Sequence, residues 1–149
     1  MSEYKLTKAI IELSVANQWA SAKQEWSLDQ VYEVDDPMTC LCGHFPIIEI
    51  CSIKNKINGV CADVGNCCVK KFMELPSNKI FQAVKRVRKD STKSLNEVAI
   101  EHGYSKRWIT EWEKDFYLDI MNKRKLTEKQ LAKKKEINEL FALKMKKSV

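Results

Sequence analysis

Residues 40–68 have the sequence CLCGHFPIIEICSIKNKINGVCADVGNCC, and this stretch decides the fold. It holds all six cysteines of the chain, and its middle is rich in β-branched isoleucine. The dipeptide Asn58-Gly59 is the strongest short hairpin signal, because both central residues of a type I′ turn need a positive φ. We therefore predict strands at about residues 45–54 and 60–66, joined by that turn, with cysteines at both ends of the hairpin.

The cysteine spacing predicts a structural zinc site. Zinc prefers four thiolate or imidazole ligands in a tetrahedron. Cys40, Cys42 and His44 follow one another at intervals of two residues, and a turn at Gly43 would let them converge. The hairpin would bring a cysteine pair back to the same place. We predict one structural zinc ion per chain, with the ligands Cys40, Cys42, His44 and Cys68, and with Cys67 as the alternative fourth ligand.

The competing interpretation is a set of free thiols that behave as small buried apolar side chains. Cys51 lies in an apolar run and Cys61 follows a valine, so we expect both to be fillers of this kind. A catalytic zinc would need an open position and a nearby acid or base, for which Glu49 is the candidate. The chain also lacks a glycine-rich phosphate loop and a Ser/His/Asp grouping, and we predict a protein that is not an enzyme.

The cysteine motif and several others together resemble a known family. Besides Cys40-Leu41-Cys42-Gly43-His44, the motifs that carry the likeness are Glu25-Trp26-Ser27-Leu28, Pro46-Ile47, Val64-Gly65-Asn66-x-Cys68-Val69-Lys70-Lys71-Phe72, Phe116-Tyr117-Leu118-Asp119 and Lys123-Arg124-Lys125-Leu126-Thr127-Glu128-Lys129-Gln130. They are similar to a family of small uncharacterised bacterial and bacteriophage zinc-binding proteins, over roughly residues 16–140. The resemblance implies that Cys40, Cys42 and Cys68 ligate zinc, and it implies no particular activity.

Around the cysteine region we predict an α+β fold, in which a zinc-stabilised β-hairpin module is flanked by helices. Apolar residues at intervals of three and four predict an N-terminal amphipathic helix from Tyr4 to about Lys23. Residues 27–32 fit either a short helix or a strand, and Asp35-Asp36-Pro37 is expected to break the chain. The predicted segments are 1–37 (helical), 38–75 (zinc-binding β module) and 76–149 (basic and mostly helical), packed as one compact unit.

The last segment carries three apolar stripes before a final helix. The stripes are Ile80, Phe81, Val84 and Val87; Leu95, Val98, Ala99 and Ile100; and Ile109, Trp112, Phe116, Leu118, Ile120 and Met121. Thr127 followed by Gln130 has the pattern of a capping box, which predicts the start of a helix that extends to about Lys147 and projects from the body.

Residues 94–116 have the spacing of a helix-turn-helix motif. In that interpretation Ala99 lies where the two helices cross, Gly103 forms the turn and Ser105 caps the second helix. Ile109 and Trp112 would anchor this helix, and its outward residues could reach phosphates and base edges. Acidic residues on the same helix repel phosphate, so a plain helical hairpin remains the alternative.

The charge is unevenly spread along the chain. Residues 1–50 carry three basic and eight acidic side chains, whereas residues 120–149 carry ten basic and three acidic ones. A basic C-terminal half favours nucleic acid, DNA or RNA, as a partner; a solvated lysine-rich helix face is the alternative. The candidate contact residues are Lys85, Arg86, Arg88, Lys89, Lys106, Arg107, Thr110, Lys123, Arg124, Lys125, Lys133, Lys134 and Lys135.

The function that we predict from these features is a non-enzymatic nucleic-acid-binding accessory protein, encoded by a phage or mobile element. The alternative is a module that binds a host protein such as an enzyme or a replication or defence factor, through the acidic N-terminal helix and a surface formed by Trp19 and Trp26. No apolar run is long enough for a membrane span. We expect a cytoplasmic location, in a bacterium or a phage-infected host, because cysteines clustered in this way suit a reducing compartment.

Overall fold

A computed structural model describes residues 3–147, with side chains up to Lys146. The fold is α+β, as predicted. The helices are α1 (Glu3–Glu12), α2 (Trp19–Lys23), α3 (Asn66–Cys68), which continues into a π-helical turn (Val69–Met73), α4 (Ser77–Lys89), α5 (Glu97–Ser105), α6 (Glu111–Ile120) and α7 (Glu128–Lys144). The strands are β1 (Trp26–Met38), β2 (Ile47–Asn55), β3 (Cys61–Gly65) and the two-residue β4 (Lys146–Lys147).

The chain divides into two compact units, whereas the sequence was expected to form one. The first unit comprises residues 3–78 together with Lys147, and the second is Lys79–Lys146. The first contains the antiparallel sheet in the order β3-β2-β1, and the second contains most of α4 and all of α5, α6 and α7. The segment boundary predicted between residues 37 and 38 lies inside β1.

The long first strand corrects the predicted chain break at Asp35-Asp36-Pro37. Pairing of β1 with β2 moves from Glu33 opposite Glu49 to Met38 opposite Ile47, so extra residues of β1 bulge out of the ladder. Asp35, Asp36 and Pro37 are all exposed in this bulge. Because Pro37 lies in the bulge, its missing N–H costs the ladder no hydrogen bond, and the strand continues past it.

The predicted hairpin is confirmed, but its turn has a different geometry. Gly59 has a φ of 77°, whereas Asn58 does not adopt a positive φ, which excludes a type I′ turn. The side-chain oxygen of Asn55 accepts hydrogen bonds from the amides of Ile57 and Asn58 at 2.8 and 3.2 Å. The Asn55 carbonyl accepts the Gly59 amide at 3.0 Å. A longer asparagine-organised loop therefore closes the hairpin.

The predicted N-terminal helix is interrupted after Glu12, because a carboxylate competes for its backbone amides. The side chain of Glu25 accepts the amide of Val15 at 2.8 Å and that of Ala16 at 2.8 Å. Those amides consequently do not continue the helical ladder, and the second helix begins only at Trp19. Residues 27–32, which fitted either structure, belong to β1.

The second unit is built on the predicted apolar stripe of α4, whose four members are all buried. Helix α7 begins at the predicted capping box, with both the Thr127 and the Gln130 side-chain bonds present. It packs within this unit through Ile137 and Phe141, which are 1% and 0% exposed, so it does not project as expected. The buried face of α7 does not include Leu143, which is 70% exposed.

The structure departs from the positions predicted for a helix-turn-helix motif within residues 94–116. Helix α5 continues through Ser105, which therefore caps nothing, and α6 begins only at Glu111. Its N-cap is Thr110, which forms a capping box with Glu113. The loop of five residues between the helices is longer than the three or four residues that the motif requires. Thr110 and Arg107 accordingly lie outside the second helix.

Two other residues of that motif also have different roles. Gly103 lies within α5 rather than in a turn, and a Cβ there would be 2.2 Å from Cζ of Phe141. Its small size thus permits close packing against α7. Trp112, expected to be an inward anchor, is 64% exposed and stacks on Phe116 at 5.3 Å between ring centroids. Tyr117 fills the core in its place, at 0% exposure.

Candidate functional site

Three cysteine thiols meet inside the first unit. Cys40, Cys42 and Cys68 are each 3% exposed or less, and their sulfur atoms all lie within 4.8 Å of one another. The Sγ of Cys68 is 3.8 Å from that of Cys40 and 3.7 Å from that of Cys42. This is the donor set that the spacing predicted for three of the four ligands, and it is compatible with a structural metal ion.

The elements that position the thiols follow from the hairpin. Cys40 and Cys42 belong to the loop that follows β1, and Cys68 ends α3 directly after β3. The loop turns tightly at Gly43, which has a φ of 91°, and its ends are tied by the amide of Cys40, which donates to the carbonyl of His44 at 2.9 Å. Antiparallel pairing of β2 with β3 returns the chain to that loop.

Backbone amides also point at the sulfur of Cys40. The amide of Gly65 donates to this sulfur at 3.3 Å and that of Cys42 at 3.5 Å. A Cβ at Gly65 would come within 3.1 Å of Ile47 Cγ2, so a glycine leaves room for Ile47 at this position. Gly65 was not among the predicted site residues, although a glycine between a strand and a cysteine-bearing helix is a signal of close backbone approach.

The thiols do not ionise alike in the protein without metal. Hydrogen bonds lower the pKa of Cys40 to about 5. The largest effect comes from the Cys68 thiol, the backbone amides of Gly65 and Cys42 add to it, and burial opposes them. The same hydrogen bond and burial raise the pKa of Cys68. One thiol of this cluster ionises readily, but ionisation of a second is unfavourable. A bound cation would stabilise the second negative charge.

The distances between the sulfur atoms are compatible with a bound metal ion. A tetrahedron with zinc–sulfur arms of about 2.3 Å has an edge of about 3.8 Å between sulfurs. The two measured separations from Cys68 are 3.8 and 3.7 Å. Two of the three separations between the thiols therefore have the length of such an edge, and the third is at most 4.8 Å.

Neither predicted fourth ligand joins this cluster. His44 and Cys67 are both exposed, and neither belongs to the group of converging ligand atoms. The carbonyl of His44 faces Cys40, because the tight loop uses this residue through its backbone. Cys67 precedes Cys68 on a helix, so the two side chains point in different directions.

The remaining cysteines divide between core and surface. Cys51 is fully buried in β2, as expected of a filler, and burial raises its pKa to about 12. Cys61 was expected to be a filler too, but it is exposed at the start of β3. Strand alternation places it on the outer face of this edge strand.

A buried asparagine supports the helix that carries Cys68. Asn66 is 6% exposed, and its side-chain oxygen accepts the hydroxyl of Ser77 at 2.6 Å. Its amide donates to Glu49 at 3.2 Å and to Asn78 at 3.1 Å. Glu49, the candidate acid or base of a catalytic zinc, is therefore engaged in this network, and it is outside the ligand cluster.

The predicted nucleic-acid residues on α4 lie together on the surface. Lys85, Arg86, Arg88 and Lys89 are all exposed, as is Lys79 near the start of the helix. No acidic residue occurs in this helix. Residues 79, 82, 86 and 89 recur at helical intervals, so Lys79, Gln82, Arg86 and Lys89 line one face, with Lys85 beside it. We call these five residues the α4 face.

Two of the candidate cations outside α4 lie beside acidic groups of the same unit. Lys133 is 3.0 Å from Glu113, and these charges raise the pKa of the lysine. Lys123 lies 3.7 Å from Asp119, while Arg124 and Lys125 are exposed in the loop before α7. The remaining candidates, Lys106, Arg107 and Thr110, belong to the loop between α5 and α6.

Lys134 corrects the expectation that the lysine cluster of α7 is solvated. It is only 6% exposed, and its ammonium group donates to the carbonyl of Thr92 at 3.2 Å. Burial lowers the pKa of its amine. Lys135, next to it, is half-buried. This segment of α7 therefore contributes to packing more than to an open cationic surface.

The aromatic surface proposed for a protein partner is also not formed. Trp26 is 3% exposed, and its indole N–H donates to the hydroxyl of Ser14 at 2.8 Å. Trp19 is half-buried.

No protein-family model, curated protein or solved structure matches this chain. Within the described residues, no helix has the length and apolar character needed to cross a membrane.

Proposed function

We propose that this chain is a non-enzymatic zinc protein that binds nucleic acid through the α4 face. Zinc on Cys40, Cys42 and Cys68 is structural in this proposal and holds the loop after β1 against α3. The second unit then provides the contact to phosphate groups. Its residues include eighteen basic and ten acidic side chains, a net charge of +8.

The α4 face is the observation that carries the proposal. Among the described residues, Lys79, Arg86 and Lys89 form no ion pair with an acidic side chain, unlike Lys114, Lys123 and Lys133. Unpaired cations spaced along one side of a helix can each neutralise a phosphate and release its counterions. Because these clustered cations do not first have to leave a carboxylate, the α4 face is the contact surface that we propose.

The test is the salt dependence of binding to short DNA and RNA oligonucleotides. The double variant Lys79→Gln, Lys89→Gln should bind more weakly, and the slope of log affinity against log salt should fall by about one for each phosphate that is no longer neutralised. The matched control is Lys129→Gln, Lys144→Gln, which removes two exposed lysines of α7. An equal loss of affinity in both variants, or no binding by the unmodified protein at low salt, would contradict the proposal.

A further inference from the structure

The loop between α5 and α6 lines an open cavity of about 520 Å³. Its walls are Tyr104, Ser105, Arg107, Trp108, Ile109 and Thr110. The cavity lies within the second unit, and it combines aromatic, cationic and hydroxyl side chains in six nearly consecutive residues.

Arg107 holds an unusual backbone position at the rim of this cavity. The amide of Trp108 donates to the carbonyl of Gly103 at 2.9 Å and that of Arg107 to Tyr104 at 3.0 Å, the two bonds of a Schellman motif. The residue at the left-handed position of this motif is most often glycine, yet here it is Arg107, with a φ of 61°. The side chain of Arg107 is exposed and lines the cavity.

The aromatic walls are held in place by neighbours. Trp108 meets the rings of His102 and Phe141 edge to face, each at 5.4 Å between centroids, which fixes its indole. Tyr104 is 37% exposed, and the ammonium group of Lys114 lies 4.6 Å from the centre of its ring. A fixed aromatic wall beside a cation is the arrangement on which unpaired bases stack.

Two acidic groups of the helices that flank the cavity are paired with lysines. Glu101 lies 3.4 Å from Lys114, and Glu113 lies 3.0 Å from Lys133. Within the described residues Arg107 itself forms no ion pair and is exposed. The guanidinium group of Arg107 is therefore available to an incoming phosphate.

We infer that this cavity receives one unstacked base of a single-stranded nucleic acid, with Tyr104 stacking on the base and Arg107 contacting the adjacent phosphate. The inference rests on the proposed function and names the kind of nucleic acid. A base in a duplex is stacked on both sides and cannot enter a concave cavity, whereas a base in a single strand can. The α4 face supplies affinity for the backbone, and the cavity supplies the preference for single strands.

The test compares single-stranded oligothymidylate with a duplex of the same length. Tyr104→Leu should weaken single-strand binding about tenfold, because base stacking on an aromatic side chain is worth about that much or more. Arg107→Gly should weaken it several-fold while the melting temperature is maintained or rises, since glycine adopts the positive φ freely. Duplex binding should change little. Lys129→Gln is the control, an exposed lysine of α7 that lies outside the cavity.

Two results would overturn the inference. One is duplex binding as tight as single-strand binding by the unmodified protein, and the other is single-strand affinity of Tyr104→Leu and Arg107→Gly equal to that of the control. If the variant Lys79→Gln, Lys89→Gln still loses affinity in that case, the proposed function stands without the cavity. Absence of binding to either probe would overturn the proposed function itself.

Discussion

Each compact unit contains a buried polar cluster, and the two clusters differ in their chemistry. In the first, the sulfur of Cys68 lies 3.8 Å from that of Cys40 and 3.7 Å from that of Cys42. A thiol is only a weak hydrogen-bond donor. In the second, the hydroxyl of Tyr117 donates to Asn138 at 2.6 Å and accepts the amide of Leu95 at 2.9 Å. The amide of Asn138 completes the network on two carbonyls. We propose that a metal ion completes the thiol cluster of the first unit, whereas the cluster of the second unit is complete within the chain.

The largest expected effect is the loss of a metal ligand in the first unit. Cys42→Ser should abolish stoichiometric zinc binding and cooperative unfolding of that unit, because binding energy in a small metal site is largely folding energy, about 10 kcal/mol or more. Elemental analysis and thermal unfolding measure the two effects. Cys67→Ser is the control, since that neighbouring thiol is exposed. Full zinc content in Cys42→Ser would refute the assignment of Cys42 as a ligand. Loss of zinc in Cys67→Ser would show that Cys67 is a ligand.

A smaller effect is expected when the network of the second unit is broken. Asn138→Ala leaves the Tyr117 hydroxyl and the carbonyls of Ser91 and Lys93 without this partner. Buried groups left in this state should lower the free energy of unfolding by about 2–4 kcal/mol. Denaturant titration measures the change, with exposed Asn122→Ala as control, and zinc content should stay the same. A change in zinc content would mean that the two units are not independent in this respect.

The smallest effect concerns acid and is confined to the first unit. Hydrogen bonds from the Asn55 side chain and the amides of Val15 and Ala16 lower the pKa of Glu25 below its usual 4.5. A depressed folded-state pKa contributes stability that is present above pH 4.5 and is lost as the pH falls through the folded value. Glu25→Gln should therefore show a flatter decline in stability below pH 4.5 than the unmodified protein. Protonation of the thiolates affects both proteins alike, so parallel declines would contradict this role of Glu25.

The same contrast explains what the sequence could predict. Features encoded in a few neighbouring residues were predictable: the hairpin around Asn58-Gly59, the capping box at Thr127, and convergence of Cys40, Cys42 and Cys68. The first two need only local backbone chemistry. The third needs the hairpin and a recognisable spacing, because a two-strand return brings distant cysteines to one end.

Features decided by partners far along the chain were not predictable in this way. The break in the N-terminal helix is set by Glu25, whose carboxylate takes two amides that the helix would have used. Gly103 has the spacing of a turn glycine, yet its role is decided by Phe141. His44 has the spacing of a ligand, but the loop uses its carbonyl rather than its imidazole. In each case the local pattern allows two structures, and tertiary packing selects one of them.

Amide hydrogen exchange on the zinc-loaded full chain, before and after removal of zinc by a chelator, tests the central claim most directly. We predict that chelation removes the protection of amides in β2 and β3, such as those of Cys51 and Val64, because the first unit loses its metal. Protection in α6 and α7, around Tyr117 and Ile137, should be retained. The claim is contradicted if the strands of the first unit stay protected without zinc, or if the protein purified without chelator contains no metal to remove.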